Sequence, residues 1–143
     1  MQLEKFLFCE MARNEANGHL SLIGLFPGDL MIVQLPEGTP LQLVPNLSCV
    51  VILGDMDRVR TLRVQCQIRH RETEVLNAPD QIQERLNPME FHNLMFGFSP
   101  FPCLQGPGDY EFRITVKPGE ESPTTYSRKF RIERQDTPRQ VRH

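Results

Sequence analysis

Apolar and polar residues alternate one by one along two segments of the chain. At residues 62–68 the even-numbered positions are apolar and the odd-numbered positions are polar, and residues 110–116 repeat this alternation. Successive side chains of a β-strand point to opposite faces, so a period of two predicts strands with one face on a core and the other in water. The side chains that we expect in the core are Val64, Cys66, Phe112 and Ile114.

Other segments have weaker strand patterns. Residues 5–12 and 47–53 are nearly continuous apolar runs of strand length, which suits central positions in a sheet. At residues 126–133 Arg128 interrupts the apolar set, so we expect that strand to be half-buried or at an edge. Residues 80–86, inside a long loop, are the only helical candidate, with one or two turns. The remaining predicted strands lie at residues 20–26, 29–33 and 91–98.

Turn-forming residues separate the predicted strands. The turns are expected at residues 14–18, 27–28, 54–57 and 117–119. About seven or eight short strands with turns between them predict an all-β fold, an antiparallel two-sheet sandwich. A chain of 143 residues has the size of one domain. We place that domain at residues 1–135 and a polar C-terminal tail at residues 136–143.

Residues 104–110 have the pattern of a tyrosine corner, in which a Tyr entering the penultimate strand donates its hydroxyl to nearby backbone. We therefore predict that Tyr110 is buried and bonded to the backbone of residues 104–107, and that Leu104 closes the end of the core. An antibody-type domain would have Cys two positions after this Tyr and a core Trp. The chain has Phe112 there and no Trp, so the expected sandwich is immunoglobulin/fibronectin-III-like without a disulfide.

The motifs at the two ends of this pattern carry a family resemblance. Residues 17–26 (Asn-Gly-His-Leu-Ser-Leu-Ile-Gly-Leu-Phe) and residues 107–114 (Pro-Gly-Asp-Tyr-Glu-Phe-Arg-Ile) resemble a family of small bacterial β-sandwich proteins known only as a domain of unknown function. The resemblance runs through residues 5–134. It implies a bacterial origin, and it implies no catalytic residues because its motifs are turns and core positions.

Composition and the first residues bear on the compartment. The chain is 39% hydrophobic and 24% charged, which is typical of globular proteins. No apolar run approaches the ~18–20 residues of a membrane span. Glu4, Lys5 and Glu10 lie in or beside the first apolar run, unlike the uninterrupted run of a signal peptide. We expect a cytoplasmic protein without membrane contact, and its four dispersed cysteines are expected to be free thiols.

The sequence contains no strong catalytic motif. The sequence has no G-x-S-x-G, P-loop or dinucleotide-binding glycine pattern, and its histidines lack metal-ligand spacing. Cys103, with His92 as a conceivable base, is the strongest candidate nucleophile, but a loop cysteine tucked under prolines is the favoured interpretation. We predict that the protein is not an enzyme and has no catalytic, cofactor-binding or metal-binding residues.

Arginine is the dominant basic residue and suggests one possible ligand. Thirteen of the sixteen basic residues are Arg, although the net charge is -2. Nucleic acid is not the expected partner, because the aromatic residues are in phase with the inward faces of the strands rather than with the arginines. The alternative function is a sensor of a small anionic ligand or nucleotide. Its candidate anion-binding residues are Arg63, Arg69, Arg128 and Arg131.

Two connecting segments, residues 34–45 and 98–104, place apolar side chains among prolines. Such rigid apolar loops suit protein binding, and the candidate interface anchors are Leu41, Leu43 and Phe101. The other interpretation is that these side chains fold back as a lid on the core. We predict a non-catalytic protein-interaction or accessory module of a bacterial cytoplasmic system. Its partner would be a second copy or another protein encoded in the same operon.

Overall fold

The computed structural model describes residues 1–16 and 19–138, which form an all-β chain with one short 3-10 turn at Pro27–Asp29. Twelve strands are present in these residues. They are β1 (Gln2–Asn14), β2 (Leu20–Leu25), β3 (Leu30–Pro36), β4 (Leu43–Val44), β5 (Leu47–Gly54), β6 (Thr61–His70), β7 (Thr73–Asn77), β8 (Gln81–Glu84), β9 (His92–Phe98), β10 (Phe101–Pro102), β11 (Gly108–Pro118) and β12 (Thr124–Thr137).

Ten of these strands belong to two sheets. The first sheet, sheet I, has the order β2-β1-β5-β9. The second, sheet II, has the order β3-β12-β11-β6-β7, with β8 also pairing with β6. Strands β4 and β10 form a separate pair of two residues each. All pairs are antiparallel except β3 with β12, which is parallel from Leu30 opposite Arg131 to Pro36 opposite Thr137, so the expectation of purely antiparallel pairing is wrong there.

One hydrophobic core lies between the inner faces of the two sheets. The four side chains predicted from the alternating segments, Val64, Cys66, Phe112 and Ile114, are all buried in it, as expected. Sheet II contributes these residues from β6 and β11, and sheet I contributes Phe6, Phe8 and alternate residues of β5. The period-two pattern therefore predicted the inward face of both long strands correctly.

The segment between β6 and β9 differs from the prediction. Residues 81–84 form strand β8 rather than a helix, because they pair with β6 from Gln81 opposite Val64 to Glu84 opposite Thr61. Pairing with a neighbouring strand overrides the weak local preference of so short a segment. The strand count is also higher than predicted, since β4, β7, β8 and β10 are only two to five residues long.

The tyrosine corner is present at the start of β11. Tyr110 is buried, and its hydroxyl donates a hydrogen bond to the carbonyl oxygen of Gly106 at 2.6 Å. This confirms the predicted contact. Leu104, however, is 75% exposed and does not close the core. Phe101 takes that place, with its ring centroid 5.9 Å from that of Tyr110.

The last strand is longer than predicted. Strand β12 continues to Thr137, so residues 136 and 137, expected in a polar tail, pair with β3. Residues 139–143 lie outside the described residues, as do Asn17 and Gly18 of the first predicted turn and of the family motif. The four cysteines are free and buried.

Candidate functional site

The outer face of sheet I is apolar at its centre. In β5 the core-facing residues alternate with Ser48, Val50 and Ile52, which point to the opposite side of the sheet. Val50 is fully buried although it does not belong to the core cluster. Both β1 and β5 are apolar on two faces, so folding leaves an apolar surface outside as well as a core inside.

Strand register makes this surface continuous. Leu7 lies opposite Val50 on β5, and the next outward positions of β1 lie opposite residues of β2: Cys9 opposite Leu25, and Met11 opposite Ile23. We call this set the outer apolar face. Its six members are Leu7, Cys9, Met11, Ile23, Leu25 and Val50.

Half of the outer apolar face is accessible to solvent. Met11, Ile23 and Leu25 are 48%, 49% and 55% exposed, and they lie side by side at the β2 edge of sheet I. Charged side chains stand only at its ends, with Lys5 at one end and an Arg13–Glu15 ion pair of 2.7 Å at the other. A contiguous exposed apolar patch with a polar rim is the pattern of a surface that binds another macromolecule.

The outer face of sheet II is charged instead, and it contains an open depression of about 670 Å³. Two of its carboxylates are already in ion pairs, since Glu111 pairs with Arg113 and Asp109 pairs with Arg131 on the rim at 3.0 Å. The charged side chains that line the depression are Arg69, Arg71, Arg113, Lys129, Glu72, Asp109 and Glu111.

The four arginines proposed to bind an anion do not form one patch. Arg63 lies at the other end of β6, opposite Lys117 and Ile82. Arg128 points toward the core side of β12 and bridges the sheets. Its Nε donates to Asp29 Oδ2 at 2.7 Å and its Nη1 to the Phe6 carbonyl at 2.6 Å. Only Arg69 and Arg131 lie near the depression.

The predicted interface segments pair with each other, Phe101 opposite Val44 and Pro102 opposite Leu43. Leu41 and Phe101 are buried in the core cluster, as the lid interpretation expects. Of the three proposed anchors, Leu43 alone is accessible, with 48% of its surface exposed. Leu41 and Phe101 can therefore contact a partner only if the core opens.

The buried thiols are poorly suited to nucleophilic chemistry. Burial raises the pKa of Cys103, and it raises the pKa of Cys66 to about 12, so both stay protonated at neutral pH. The His92 ring does not contact Cys103 but lies 3.1 Å from the Gln83 side chain, and burial lowers its pKa. In the described ranges, the residues able to hold a metal ion are not grouped together.

Sequence reasoning missed the outer apolar face. The signal was present in the uninterrupted apolar runs of β1 and β5, which we interpreted only as a sign of central position. The two exposed members on β2, Ile23 and Leu25, fit an ordinary strand with one covered face. Only the register of β2 against β1 places them beside Met11 on the uncovered side.

Comparison of the sequence with protein-family models and with curated proteins gave no match. The resemblance to small bacterial proteins thus remains a prediction. None of the helices in residues 1–16 and 19–138 has the length and apolar character of a membrane span.

Proposed function

We propose that the protein is a non-catalytic protein-interaction module and that the outer apolar face of sheet I is its binding surface. The observation that carries the proposal is the group of three half-exposed apolar side chains, Met11, Ile23 and Leu25, in adjacent positions. Removing such surface from water contributes about 25 cal/mol per Å². A flat sheet face suits a protein surface better than a small ligand, which normally needs a concave pocket.

The occupant that we propose is a second copy of the chain. Four strands at ~4.8 Å spacing and about seven residues at ~3.3 Å rise give the whole outer side of sheet I an extent of roughly 19 by 23 Å, and the outer apolar face occupies three of these strands. The whole outer side is about 440 Å², roughly half of the ~800 Å² that each partner buries in a stable interface, so side chains at the rims of the sheet have to contribute the rest. Sheets pack face to face at ~10 Å in protein cores, and two copies can do the same about a two-fold axis.

Charge at the two ends of the face favours self-association. Glu4, which lies against Gly54, accompanies Lys5 at one end, and Arg13 pairs with Glu15 at the other. Each end therefore carries one acid and one base. A second copy in antiparallel orientation meets no excess of like charge, and the apolar centre meets its own equivalent.

The fold family and the cellular setting that we expect belong to the same proposal. The tyrosine corner at Tyr110 and the β11–β12 hairpin support an immunoglobulin/fibronectin-III-like sandwich. The parallel β3–β12 pair is an addition to the antiparallel pattern that we expected. A cytoplasmic accessory role in a bacterial system, beside a partner that supplies the chemistry, is the setting that we propose, and the four free cysteines fit a reducing compartment.

The test compares two substitutions of the same residue type. Ile23→Glu places a charge on the outer apolar face, and Ile82→Glu places one on a 63% exposed position of β8 in sheet II, far from that face. Sedimentation velocity over a range of concentrations should show a dimer for the wild type and for Ile82→Glu, and a monomer for Ile23→Glu. The melting temperatures of the two variants should agree, since neither side chain belongs to the core.

A wild-type chain that stays monomeric at millimolar concentration would overturn the second copy as occupant. The outer apolar face would then bind a different protein. A purified partner from the native host should bind the wild type and Ile82→Glu but not Ile23→Glu. If Ile23→Glu changes neither self-association nor partner binding, the outer apolar face is not the binding surface.

A further inference from the structure

Two buried side-chain nitrogens in the described residues lack a hydrogen-bond partner, and they belong to adjacent residues at the end of β6: Arg69 Nε and His70 Nε2. Buried donors are paired in the great majority of cases, so an orphan calls for an explanation. The His70 ring faces the core side, where it packs on Tyr110 with 4.6 Å between centroids. Arg69 lies on the opposite, outer side of β6 and lines the depression on sheet II.

The neighbours of Arg69 do not satisfy its guanidinium. Glu111 lies directly opposite it on β11, but the carboxylate of Glu111 is engaged by Arg113 two positions away. Glu74 lies opposite on β7, where the chain is exposed, and forms no ion pair with Arg69. The Nε–H of Arg69 is thus without an acceptor in the described residues, and no ion pair holds the rest of its guanidinium, which lines the depression.

Two further cations border the same depression. Lys129 lies opposite Glu111 in the same cross-strand row, and Arg71 begins the turn from β6 to β7. Neither forms an ion pair within the described residues, whereas Asp109 and Glu111 are already paired with arginines. The lining contains four basic and three acidic side chains. Because Arg113, Glu111 and Asp109 are in ion pairs, the unpaired charges are those of Arg69, Arg71 and Lys129 against that of Glu72 alone.

We propose that this depression binds the phosphate group of a small molecule, with the Arg69 and Arg71 guanidinium groups donating to its oxygens and Lys129 supplying charge at the rim. A phosphate brings close to two negative charges and several acceptor oxygens, which suits two guanidinium groups and an ammonium better than a monocarboxylate does. The site lies on sheet II and shares no residue with the outer apolar face on sheet I.

Arg71 lies in the tight turn that joins β6 to β7. Arg71 has a φ of 55°, in the left-handed region, at the first position of the tight turn between β6 and β7. Its backbone is therefore held directly after the buried end of β6, next to the row that contains Arg69.

The test is isothermal titration calorimetry of the full chain at low salt, with inorganic phosphate, a nucleoside monophosphate and acetate as separate titrants. Phosphate and nucleotide should both give saturable binding, and acetate should not. A nucleotide that binds much more tightly than phosphate would identify a nucleotide as the source of the group. Arg69→Gln and Arg71→Asn should each weaken phosphate binding at least tenfold. Asn removes the charge at position 71 and tolerates the left-handed backbone.

Arg63→Gln is the matched control. Arg63 is on the same strand and the same outer side of β6 as Arg69, but it lies outside the depression. Its loss should leave phosphate affinity within a factor of two of the wild type. Equal weakening by Arg63→Gln would show binding by general surface charge, and the absence of saturable phosphate binding to the wild type would also overturn the site. Should Arg69→Gln fail to fold, Arg71→Asn alone decides the outcome.

Discussion

Phe112 joins the two sheets through their aromatic side chains. It is fully buried on the inner face of β11, in sheet II. Its ring centroid lies 6.1 Å from Phe6, 6.2 Å from Phe8, 5.6 Å from Phe96 and 6.4 Å from Phe98. All four partners are on β1 or β9 of sheet I, so every one of these contacts crosses the core. Phe112→Ala should therefore loosen the packing of one sheet on the other.

The expected loss in free energy of unfolding follows from these contacts. Replacing a buried Phe by Ala costs about 3–5 kcal/mol, because the hydrophobic transfer free energy of the ring is lost and a cavity remains. Each aromatic pair adds ~0.5–1.5 kcal/mol beyond burial, and Phe112 forms four. We expect a loss near the upper end, about 5 kcal/mol, which is a large part of the ~5–15 kcal/mol of a typical domain.

Urea unfolding followed by circular dichroism measures this loss. The midpoint should fall sharply while the dependence of the free energy on urea stays as in the wild type. Phe91→Ala is the control, because Phe91 is largely exposed and should cost less than about 1 kcal/mol. A loss below about 2 kcal/mol for Phe112→Ala would mean that the ring does not occupy the centre of the core.

Two further predictions concern Tyr110. Tyr110→Phe removes the donor to the Gly106 carbonyl and should lower the free energy of unfolding by about 1–2 kcal/mol. The control is Tyr126→Phe, because the Tyr126 hydroxyl forms no such bond, and it should change stability by less than about 0.5 kcal/mol. Equal effects of the two substitutions would contradict the tyrosine corner. Burial raises the pKa of Tyr110 to about 12, above its unfolded value, so its stabilising contribution is complete below pH 10 and is lost as the pH rises toward 12. Unfolding free energies at several pH values should fall less steeply over this window in Tyr110→Phe than in the wild type, and identical slopes would contradict the raised pKa.

The parts of the fold that were predictable are those with a local signal. The alternation at residues 62–68 and 110–116 is long enough to fix both strands and the faces that they bury. The pairing of Leu43 with Pro102 has no such signal, because it joins two short segments that are distant in sequence. Residues 81–84 become a strand only because β6 has a free edge there, which no local pattern reveals.

The candidate sites were harder to predict because they depend on which side of a sheet is covered. An apolar run such as β5 shows that both faces avoid water locally, but it does not say whether a second layer covers the outer one. The arginines show the same limit. Arg128 and Arg131 are close in sequence on β12, yet they project to opposite faces, one bridging the sheets and the other pairing with Asp109.

The two proposed surfaces lie on opposite sides of one aromatic core, and this arrangement bears on how they act together. Linkage between two sites requires an element with two arrangements that both ligands bias. The strands that carry Ile23 and Arg69 are joined through a closely packed core around Phe112, and close packing resists gradual deformation. We therefore expect a phosphate-bearing ligand on sheet II and a protein on sheet I to bind independently, so that the module can hold both at once without either changing the affinity for the other.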